Sequence, residues 1–461
     1  MRTASTCVWW RPWAAVACAL ISACTASAED VRPPSNQLFF PTGLAISPDE
    51  RVLFVANANS ELRYDSGSIS VIDLNIVQQT IASWTTSQVV PDGCDQDPDH
   101  RETLTCDGQI FIKADGGVRI GNFATDIAVQ EFTGGNLRVL VPTRGDPSIS
   151  WADFDGNSQT LSCVTGSETF ALCDDTHRLT TVRNDPALGS IPDEPYSVFA
   201  DSANGFAVVT HQSAGAVSLI QSSQGNNAQI VDIKLALFAP DQLTGIRAAT
   251  AISGRKSATG DIIYVGSRNE HRIQTLTVGR LKDAAAYLLS SNYFFLNAVG
   301  ANNGLSSDTR ALQFSTDNDR LYVVNRNPPS LQIYDTSSSD SGFPRNVAIG
   351  ASDICREAST VSVVAGAAGD VASERAYVTC FQDGQVYVVD PSGQSKVEDI
   401  VTVGRGPYGI VAAKGTNPAA QSQKQLFISN FLEDTIAVVD VTPNSVHRNR
   451  VVLRIGRPRA P

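Results

Sequence analysis

The sequence contains few of the residues on which metal and haem chemistry usually depends. Only five of its 461 residues are histidine, and its single methionine is Met1, so we expect no methionine ligand to copper or haem iron. It has no Cys-x-x-Cys-His motif, which argues against a c-type haem. Positive charge is also scarce, with 35 Lys and Arg against 47 Asp and Glu. The net charge of −12 argues against a nucleic-acid partner, because proteins that bind nucleic acids carry a basic surface.

The motifs that identify common enzymes are also missing. There is no Gly-x-Ser-x-Gly elbow, no phosphate-binding Gly-x-x-x-x-Gly-Lys and no His-Glu-x-x-His zinc motif. The segment Asp95-Gln96-Asp97-Pro98-Asp99 has the spacing of a calcium loop, but His100 stands where such a loop needs Gly and Cys106 where Glu should close it. We interpret the segment as a solvated acidic loop. The sequence thus predicts no catalytic residue, no metal site and no cofactor, with calcium as the weak exception.

The first 28 residues have the features of an export signal. Arg2 and Arg11 make the start positive, and Ala14–Ile21 is an apolar run too short to span a bilayer as a helix. No other apolar run is long enough to cross a membrane. We therefore expect an exported protein that contacts the membrane only through an anchor.

Two cleavage sites compete at the end of this signal. Ile21-Ser22-Ala23-Cys24 resembles a bacterial lipobox, which makes residues 1–23 the signal peptide and Cys24 the lipidated first residue. Ala26-Ser27-Ala28 fits ordinary secretory cleavage and a soluble product instead. We favour the lipobox because the cysteine directly follows small residues at the end of the apolar run. Thr25 is not the aspartate that retains lipoproteins in the inner membrane, so the lipobox implies an outer-membrane lipoprotein, on either its periplasmic or its cell-surface side.

The cysteines of the mature chain indicate disulfides. Once Cys7 and Cys18 of the signal and the lipidated Cys24 are set aside, an even set of six remains, as expected of an exported protein. They form three local couples that are 12, 10 and 25 residues apart, and no Cys-x-x-Cys spacing suggests a metal site. Six cysteines allow 15 pairings, of which the spacing favours Cys94–Cys106, Cys163–Cys173 and Cys355–Cys380.

Internal repetition is the strongest signal in the chain. An apolar segment that ends in Asn is followed by a second segment that ends in Asp, three times clearly and four times in degenerate form. The clear copies are Leu53–Asn57 with Ser68–Asp73, Leu321–Asn325 with Leu331–Asp335, and Leu426–Asn430 with Thr435–Asp440. A further recurring segment precedes each copy and begins near residues 41, 124, 195, 243, 308, 358 and 407. The period-2 and β-branched character of all these segments predicts strands.

Each repeat therefore predicts three strands and a weaker fourth one, for which Gln78–Ser83 is an example. The only helix candidate is Val278–Ser290. One such sheet cannot bury both of its faces, whereas seven sheets arranged radially bury each sheet against the next. The prediction is an all-β chain, a seven-bladed β-propeller of four-stranded blades, over residues 38–456. Residues 24–37 are a linker, and residues 85–122 and 155–194 are two disulfide-stapled insertions.

The repeats resemble the YVTN family of seven-bladed propellers. The resemblance rests on strands such as Tyr322-Val323-Val324-Asn325 and Tyr377-Val378-Thr379-Cys380, and it covers roughly residues 38–456. It implies the propeller fold and says little about activity, because one fold supports many functions.

A binding site is expected where the first strand of each blade starts and the second one ends, since loops on a rigid scaffold commonly bind ligands. Residues that repeat there, such as Asn57, are interpreted as turn caps. Four residues interrupt the repeat there, and together with Asp146 they form the candidate rim, namely Arg144, Asp146, His211, Arg268 and Arg326. Its arginines suggest a site for anions or carboxylates.

These features predict a binding or scaffold module whose ligand is a protein, a glycan or a small molecule. The first alternative is a hydrolase or lactonase at the same face, for which His211 and Asp126 are the only obvious candidates. The second is a structural envelope protein without a small ligand.

Overall fold

The described strands form seven sheets that follow one another along the chain, and their strands pair antiparallel except for one parallel pair in the seventh. The computed structural model describes residues 31–166, 168–255, 261–280, 285–296, 307–366, 373–393 and 395–460. The innermost strands of consecutive sheets contact each other, and the seventh contacts the first, so the sheets close into a ring. The predicted seven-bladed β-propeller of four-stranded blades is confirmed.

The blades are numbered in chain order, and their strands run from the central axis outwards. Blade 1 contains β1 (Pro41–Ile46), β2 (Val52–Asn57), β3 (Gly67–Asp73) and β6 (Val118–Ile120). Blade 2 contains β7 (Ala128–Glu131), β8 (Leu137–Thr143), β9 (Ser148–Asp155) and β10 (Thr160–Ser162), with β11 (Arg178–Leu179) also paired to β9. Blade 3 contains β12 (Pro195–Asp201), β13 (Phe206–His211), β14 (Ala216–Gln221) and β15 (Gln229–Lys234). Blade 4 contains β16 (Ala249–Arg255), β17 (Ile262–Ser267), β18 (Arg272–Gly279) and β19 (Tyr287–Phe295).

The last three blades have the same order. Blade 5 contains β20 (Thr309–Phe314), β21 (Arg320–Arg326), β22 (Pro329–Asp335) and β23 (Val347–Asp353). Blade 6 contains β24 (Ala358–Val364), β25 (Arg375–Cys380), β26 (Gln385–Asp390) and β27 (Lys396–Thr402). Blade 7 contains β28 (Pro407–Ala413), β29 (Gln425–Asn430), β30 (Thr435–Asp440) and β31 (Arg450–Ile455), and it is extended by β5 (Leu104–Cys106) and β4 (Cys94–Gln96).

The core is divided among the seven interfaces between blades, each of which has its own apolar cluster. Between blades 6 and 7, for example, Tyr377 and Val388 belong to one cluster with Leu426 and Val439. All six residues of β2 are buried, because both faces of a blade pack against neighbours. Burial of a large aliphatic side chain contributes about 1.5–3 kcal/mol, so these clusters hold the ring together.

The propeller has two faces, which we name by their loops. The upper face carries the loops between second and third strands and the links between blades, including Arg144 and Arg326. The lower face carries the hairpins between first and second strands, including Glu50 and Lys414. The chain enters the first blade on the upper side, where the carbonyl of Val31 accepts a hydrogen bond of 2.9 Å from the amide of Asp65.

The predicted strand at Gln78–Ser83 is instead part of a helix, α1 (Leu74–Ser87). Asp73 caps it, since its Oδ1 accepts a hydrogen bond of 2.8 Å from the amide of Asn75. The buried residues Leu74, Val77, Ile81 and Trp84 recur at helical spacing, and the β-branched residues concealed this period. The fourth strand of blade 1 is β6. With 14 residues, α1 is too short to cross a membrane, and the described part of the chain contains no helix that could do so.

Two predictions in blade 4 were also wrong. The expected first strand at Leu243–Arg247 is a turn capped by Asp241, and the inner strand is β16, six residues later. The sequence Leu243-Thr244-Gly245 resembles Pro41-Thr42-Gly43, which begins the inner strand of blade 1, only by chance. The helix candidate Val278–Ser290 contains the end of β18 and the start of β19, whose hydrogen bonds to each other override the local helical preference.

The three predicted disulfides are present, Cys94–Cys106, Cys163–Cys173 and Cys355–Cys380. The first one staples an insertion of blade 1 that reaches blade 7. Its strand β5 pairs with β31 in parallel, from Leu453 with Leu104 to Ile455 with Cys106. In the described part of the chain, β1, β2, β3 and β6 form blade 1 and β28–β31 form the body of blade 7, so this insertion bridges the junction where the ring closes. The second bond staples the insertion of blade 2, which pairs with Arg119 of blade 1 and with Ile230 of blade 3.

Candidate functional site

A ring of hydrogen bonds joins the inner strands near the upper face. At each of the seven steps a side chain of one blade donates to a backbone carbonyl at the start of the next inner strand. Threonine or serine is the donor at six steps, and Arg326 is the donor at the seventh. The pairs are Thr42 to Ala124, Thr125 to Tyr196, Thr210 to Thr250, Thr250 to Thr309, Arg326 to Ala358, Thr379 to Tyr408 and Ser429 to Thr42. The recurring hydroxyls therefore belong to the scaffold.

The arginines of the candidate rim share the upper face, but each faces a carboxylate from the start of the next blade. Arg144 forms an ion pair with Glu194. The Nε atom of Arg268 lies 3.5 Å from an oxygen of Asp308.

The third arginine is bound in the same way. The Nη1 atom of Arg326 lies 2.8 Å from an oxygen of Glu357, and its Nε also serves in the ring of hydrogen bonds. This arrangement argues against a rim of free cations. We infer that the three ion pairs fix neighbouring blades to each other.

The other two rim candidates also have structural partners. Asp146 forms an ion pair with Arg178 of the blade 2 insertion. His211 is fully buried, with its Nε2 atom 2.8 Å from the hydroxyl oxygen of Ser218. Burial lowers the pKa of His211 to about 4, so its imidazole is neutral near pH 7. His211 does not line the central cavity, which leaves it without access to a ligand there.

The central channel contains a cavity of about 660 Å³ that is lined by the inner strands. Its lining extends from Tyr196 and Tyr408, near the upper ends of their strands, to Lys414 and Asn318 on the lower face. This volume falls in the range of 300–1,000 Å³ that is common for small-molecule sites. The cavity, which Arg326 of the candidate rim also lines, is therefore the candidate site.

Three long polar side chains converge at the upper end of this cavity. Tyr196, Arg310 and Tyr408 each occupy the second position of an inner strand, in blades 3, 5 and 7. The hydroxyl oxygens of the two tyrosines are 3.1 Å apart. Arg310 lies near both, and its guanidinium binds Asp308 through contacts of 2.7 and 2.8 Å. We name Tyr196, Arg310 and Tyr408 the polar triad.

An irregularity in each inner strand accounts for the projection of the triad. The pairing of β12 shifts between Pro195 and Val198, that of β20 between Thr309 and Ala311, and that of β28 between Pro407 and Ile410. Such β-bulges redirect side chains and are common beside active sites. At the same position blades 1, 2 and 4 have threonine, which is too short to cross the channel.

Asp126 lies beside the triad and is the only acidic residue among the cavity-lining residues that the structure describes. Its carboxylate accepts hydrogen bonds from the amides of Ile127 at 2.9 Å and Val198 at 3.0 Å. Burial raises its pKa to about 6, although these bonds oppose the rise. Burial and the neighbouring Tyr196 also raise the pKa of Tyr408 well above its usual value. Asp126 can thus exchange a proton near neutral pH, whereas the phenol of Tyr408 stays protonated.

Sequence reasoning named Asp126 but did not find Arg310, Lys414 or Lys424. Arg310 could have been found by alignment of the inner strands, since it occupies the position of a repeated threonine. The two lysines flank one hairpin of blade 7, which follows no repeat. Only the folded ring shows that this hairpin borders the channel.

The acidic segment that resembles a calcium loop has structural contacts. Asp95 forms an ion pair with Arg457, and Asp97 accepts hydrogen bonds from the amides of Asp99 and His100. Among the residues that the structure describes, no three His, Cys, Asp or Glu side chains are grouped to hold a metal ion.

The fold and the central cavity define a seven-bladed β-propeller with a small-molecule-sized channel site. No family model matches the chain, and no curated protein matches it. The YVTN resemblance therefore stays a prediction.

Solved structures with the same architecture are numerous. A candidate 6-phosphogluconolactonase from Bacteroides fragilis is 10% identical, with a TM-score of 0.51 over 91% of this chain and 97% of that one. The periplasmic gluconolactonase PpgL of Pseudomonas aeruginosa is 15% identical, with a TM-score of 0.46 over 79% and 86%. A functionally unknown protein from Desulfotomaculum acetoxidans is 10% identical, with a TM-score of 0.47 over 77% and 84%. At these identities the likeness shows the propeller fold alone.

Proposed function

We propose that the protein is an exported, envelope-anchored binding module that holds a small ligand in its central channel. The observation that carries this proposal is the convergence of the polar triad and Asp126 at one end of a cavity of about 660 Å³. Small-molecule sites combine such a cavity with a few polar groups that fix the orientation of the ligand. The anchor is the lipid on Cys24 that the lipobox implies, and the cysteines, all paired in the described chain, suit an oxidising compartment.

A variant in which a large side chain fills the cavity tests this proposal. Ala311 lines the channel, so Ala311→Trp should block it, whereas Ser83→Trp on the exposed side of α1 is a matched control. Thermal unfolding is measured with a panel of sugars, sugar acids, amino acids and nucleotides. A ligand present at 100 times its Kd adds about 2.7 kcal/mol of stability, which raises Tm by several degrees.

We expect at least one panel member to raise the Tm of the wild type and of Ser83→Trp, but not that of Ala311→Trp. A ligand that stabilises Ala311→Trp equally binds elsewhere, and that result would contradict the channel site.

A hydrolase of lactonase type is the second candidate function, and Asp126 favours it. A carboxyl with a pKa of about 6 beside two phenols can act as a general base near neutral pH. In this case Asp126 would accept a proton from the water that attacks the lactone carbonyl, and a triad phenol would protonate the departing ring oxygen. Lactone hydrolysis that falls at least 100-fold in Asp126→Asn would support it, since general bases contribute about 10²–10⁴.

A further inference from the structure

Positive charge is concentrated on the cavity wall of this acidic protein. Besides the two tyrosines, the described ionisable residues of the lining are four bases and the single acid Asp126. The bases are Arg310, Arg326, Lys414 and Lys424. The whole chain has the opposite balance, 35 basic to 47 acidic residues. A channel lined by one sign of charge, with low-dielectric walls, attracts ligands of the other sign.

The two ends of the channel differ in how their positive charges are partnered. At the upper end, Asp308 and Glu357 bind Arg310 and Arg326. At the lower end, neither lysine forms an ion pair with a carboxylate of the described residues. Lys414 is exposed, and the ammonium of Lys424 donates a hydrogen bond of 2.9 Å to the carbonyl of Ala365 in blade 6. Among the residues that the structure describes, the positive charges of the lining without a carboxylate partner therefore lie at the lower opening.

The two lysines flank one hairpin of blade 7. Lys414 directly follows β28, and Lys424 directly precedes β29. The carboxylate of Glu50 in blade 1 fixes this hairpin, because it accepts hydrogen bonds from the amides of Lys414 at 2.6 Å and Thr416 at 2.8 Å. Both lysines are thus presented at the lower opening on ordered backbone.

From this geometry we infer that the ligand is a small organic anion, a carboxylate or phosphate that also bears hydroxyls, and that it enters from the lower face past Lys414 and Lys424. This inference rests on the proposed function and specifies its ligand class. Lysine binds such groups as a point charge, and the hydroxyl-bearing part of the ligand would extend along the channel towards Asp126 and the triad.

Four probes that share one sugar skeleton test the inference, namely glucose, glucuronate, glucose 6-phosphate and glucosamine. Calorimetry should show that at least one of the two anions binds ten-fold or more tightly than glucose, and that glucosamine binds most weakly. The stronger anion identifies carboxylate or phosphate as the recognised group. Its association rate should fall as salt is raised, because salt screens electrostatic steering.

Variants of the two lysines show whether anion binding depends on their positive charge or on the shape of their side chains. Lys414→Gln and Lys424→Gln should each weaken anion binding several-fold and leave glucose binding unchanged. Lys424→Arg should retain most of the affinity because it keeps the charge. Lys396→Gln, on the outer strand β27, is the matched control and should have no effect.

The possible failures are distinguishable. Anions that bind no more tightly than glucose, that do not bind at all, or that ignore both glutamine variants overturn the inference. The proposed function survives these results if any panel ligand still loses its stabilising effect in Ala311→Trp. The proposed function fails together with the inference if the binding of an anion depends on neither lysine and the anion raises the Tm of Ala311→Trp as much as that of the wild type.

Discussion

The position and the proton affinity of the Asp126 carboxylate are set by the groups that surround it. Asp126 follows a scaffold threonine, and its equivalents in blades 1 and 7 are Gly43 and Gly409. The amides of Ile127 and Val198 hold its carboxylate in place beside Tyr408. Burial and these contacts set the proton affinity of Asp126, and its sequence position alone does not.

The stability of the protein should depend on pH through Asp126. Burial raises its pKa to about 6 in the folded state, so the folded state binds more protons than the unfolded state between about pH 4 and pH 6. Stability therefore falls as pH rises through this window, by up to about 3 kcal/mol at 1.4 kcal/mol per unit of pKa. The Asp126→Asn variant has no group that titrates at this position, so its free energy of unfolding, relative to that of the wild type, should rise by that amount between pH 4 and pH 7.

Urea denaturation at both pH values measures the difference, and comparison across pH removes the constant cost of the altered hydrogen bonds. An unchanged difference between variant and wild type would show that Asp126 titrates normally.

At the residue scale the sequence predicted positions better than roles. The rim arginines do share one face, because strand ends in a repeat have equivalent places. Their carboxylate partners, such as Glu194 and Glu357, belong to links between blades that carry no repeat. The sequence therefore could not show that these charges are neutralised.

Among the elements, the insertion of blade 1 has a larger role than its sequence suggests. The sequence places Cys94–Cys106 in a loop, so that its loss should affect the loop more than the fold. In the structure β5 extends blade 7, and the hydroxyl of Thr103 and the carbonyl of Cys106 both bond to backbone of that blade. The loop is thus a strap across the ring junction.

Loss of the Cys94–Cys106 bond should loosen the ring junction. Closure of a 12-residue loop contributes roughly 3 kcal/mol in the entropic account, and the 10-residue loop of Cys163–Cys173 contributes nearly the same. A double serine variant at Cys94 and Cys106 should therefore lose about as much stability as one at Cys163 and Cys173.

Hydrogen exchange distinguishes the two variants. Exchange in β31 should accelerate only in the first variant, because β5 covers that strand. Equal protection of β31 in both variants would show that the strap does not hold the junction.

Elements were predictable where they repeat. Inner strands of six blades begin within four residues of the expected positions, since the recurring segments there have the period of a strand. Helix α1 was missed because Ile76, Val77 and Thr80 favour strands locally. Its capping by Asp73 and its packing on blade 1 decided the outcome.

For the whole molecule, attachment to the envelope depends on one cysteine. Cys24 lies outside the described residues, so the lipid anchor stays a proposal. A single acyl chain binds membranes only marginally, whereas the three chains of a mature lipoprotein hold firmly. Wild type should therefore sediment with the membrane fraction, and Cys24→Ala should be released or remain unprocessed. An intact mass that begins with unmodified Glu29 would contradict the anchor.

The place where the chain enters the ring sets the orientation of the anchored molecule. Residues 24–30 span at most about 25 Å when fully extended, and Val31 is already bonded beside Asp65 on the upper side. A lipid on Cys24 would thus hold the upper face near the bilayer. The opposite opening, with Lys414 and Lys424, would then face the surrounding solution and lie away from the lipid headgroups. Dissolved anions could reach it without the tether or the membrane in their path.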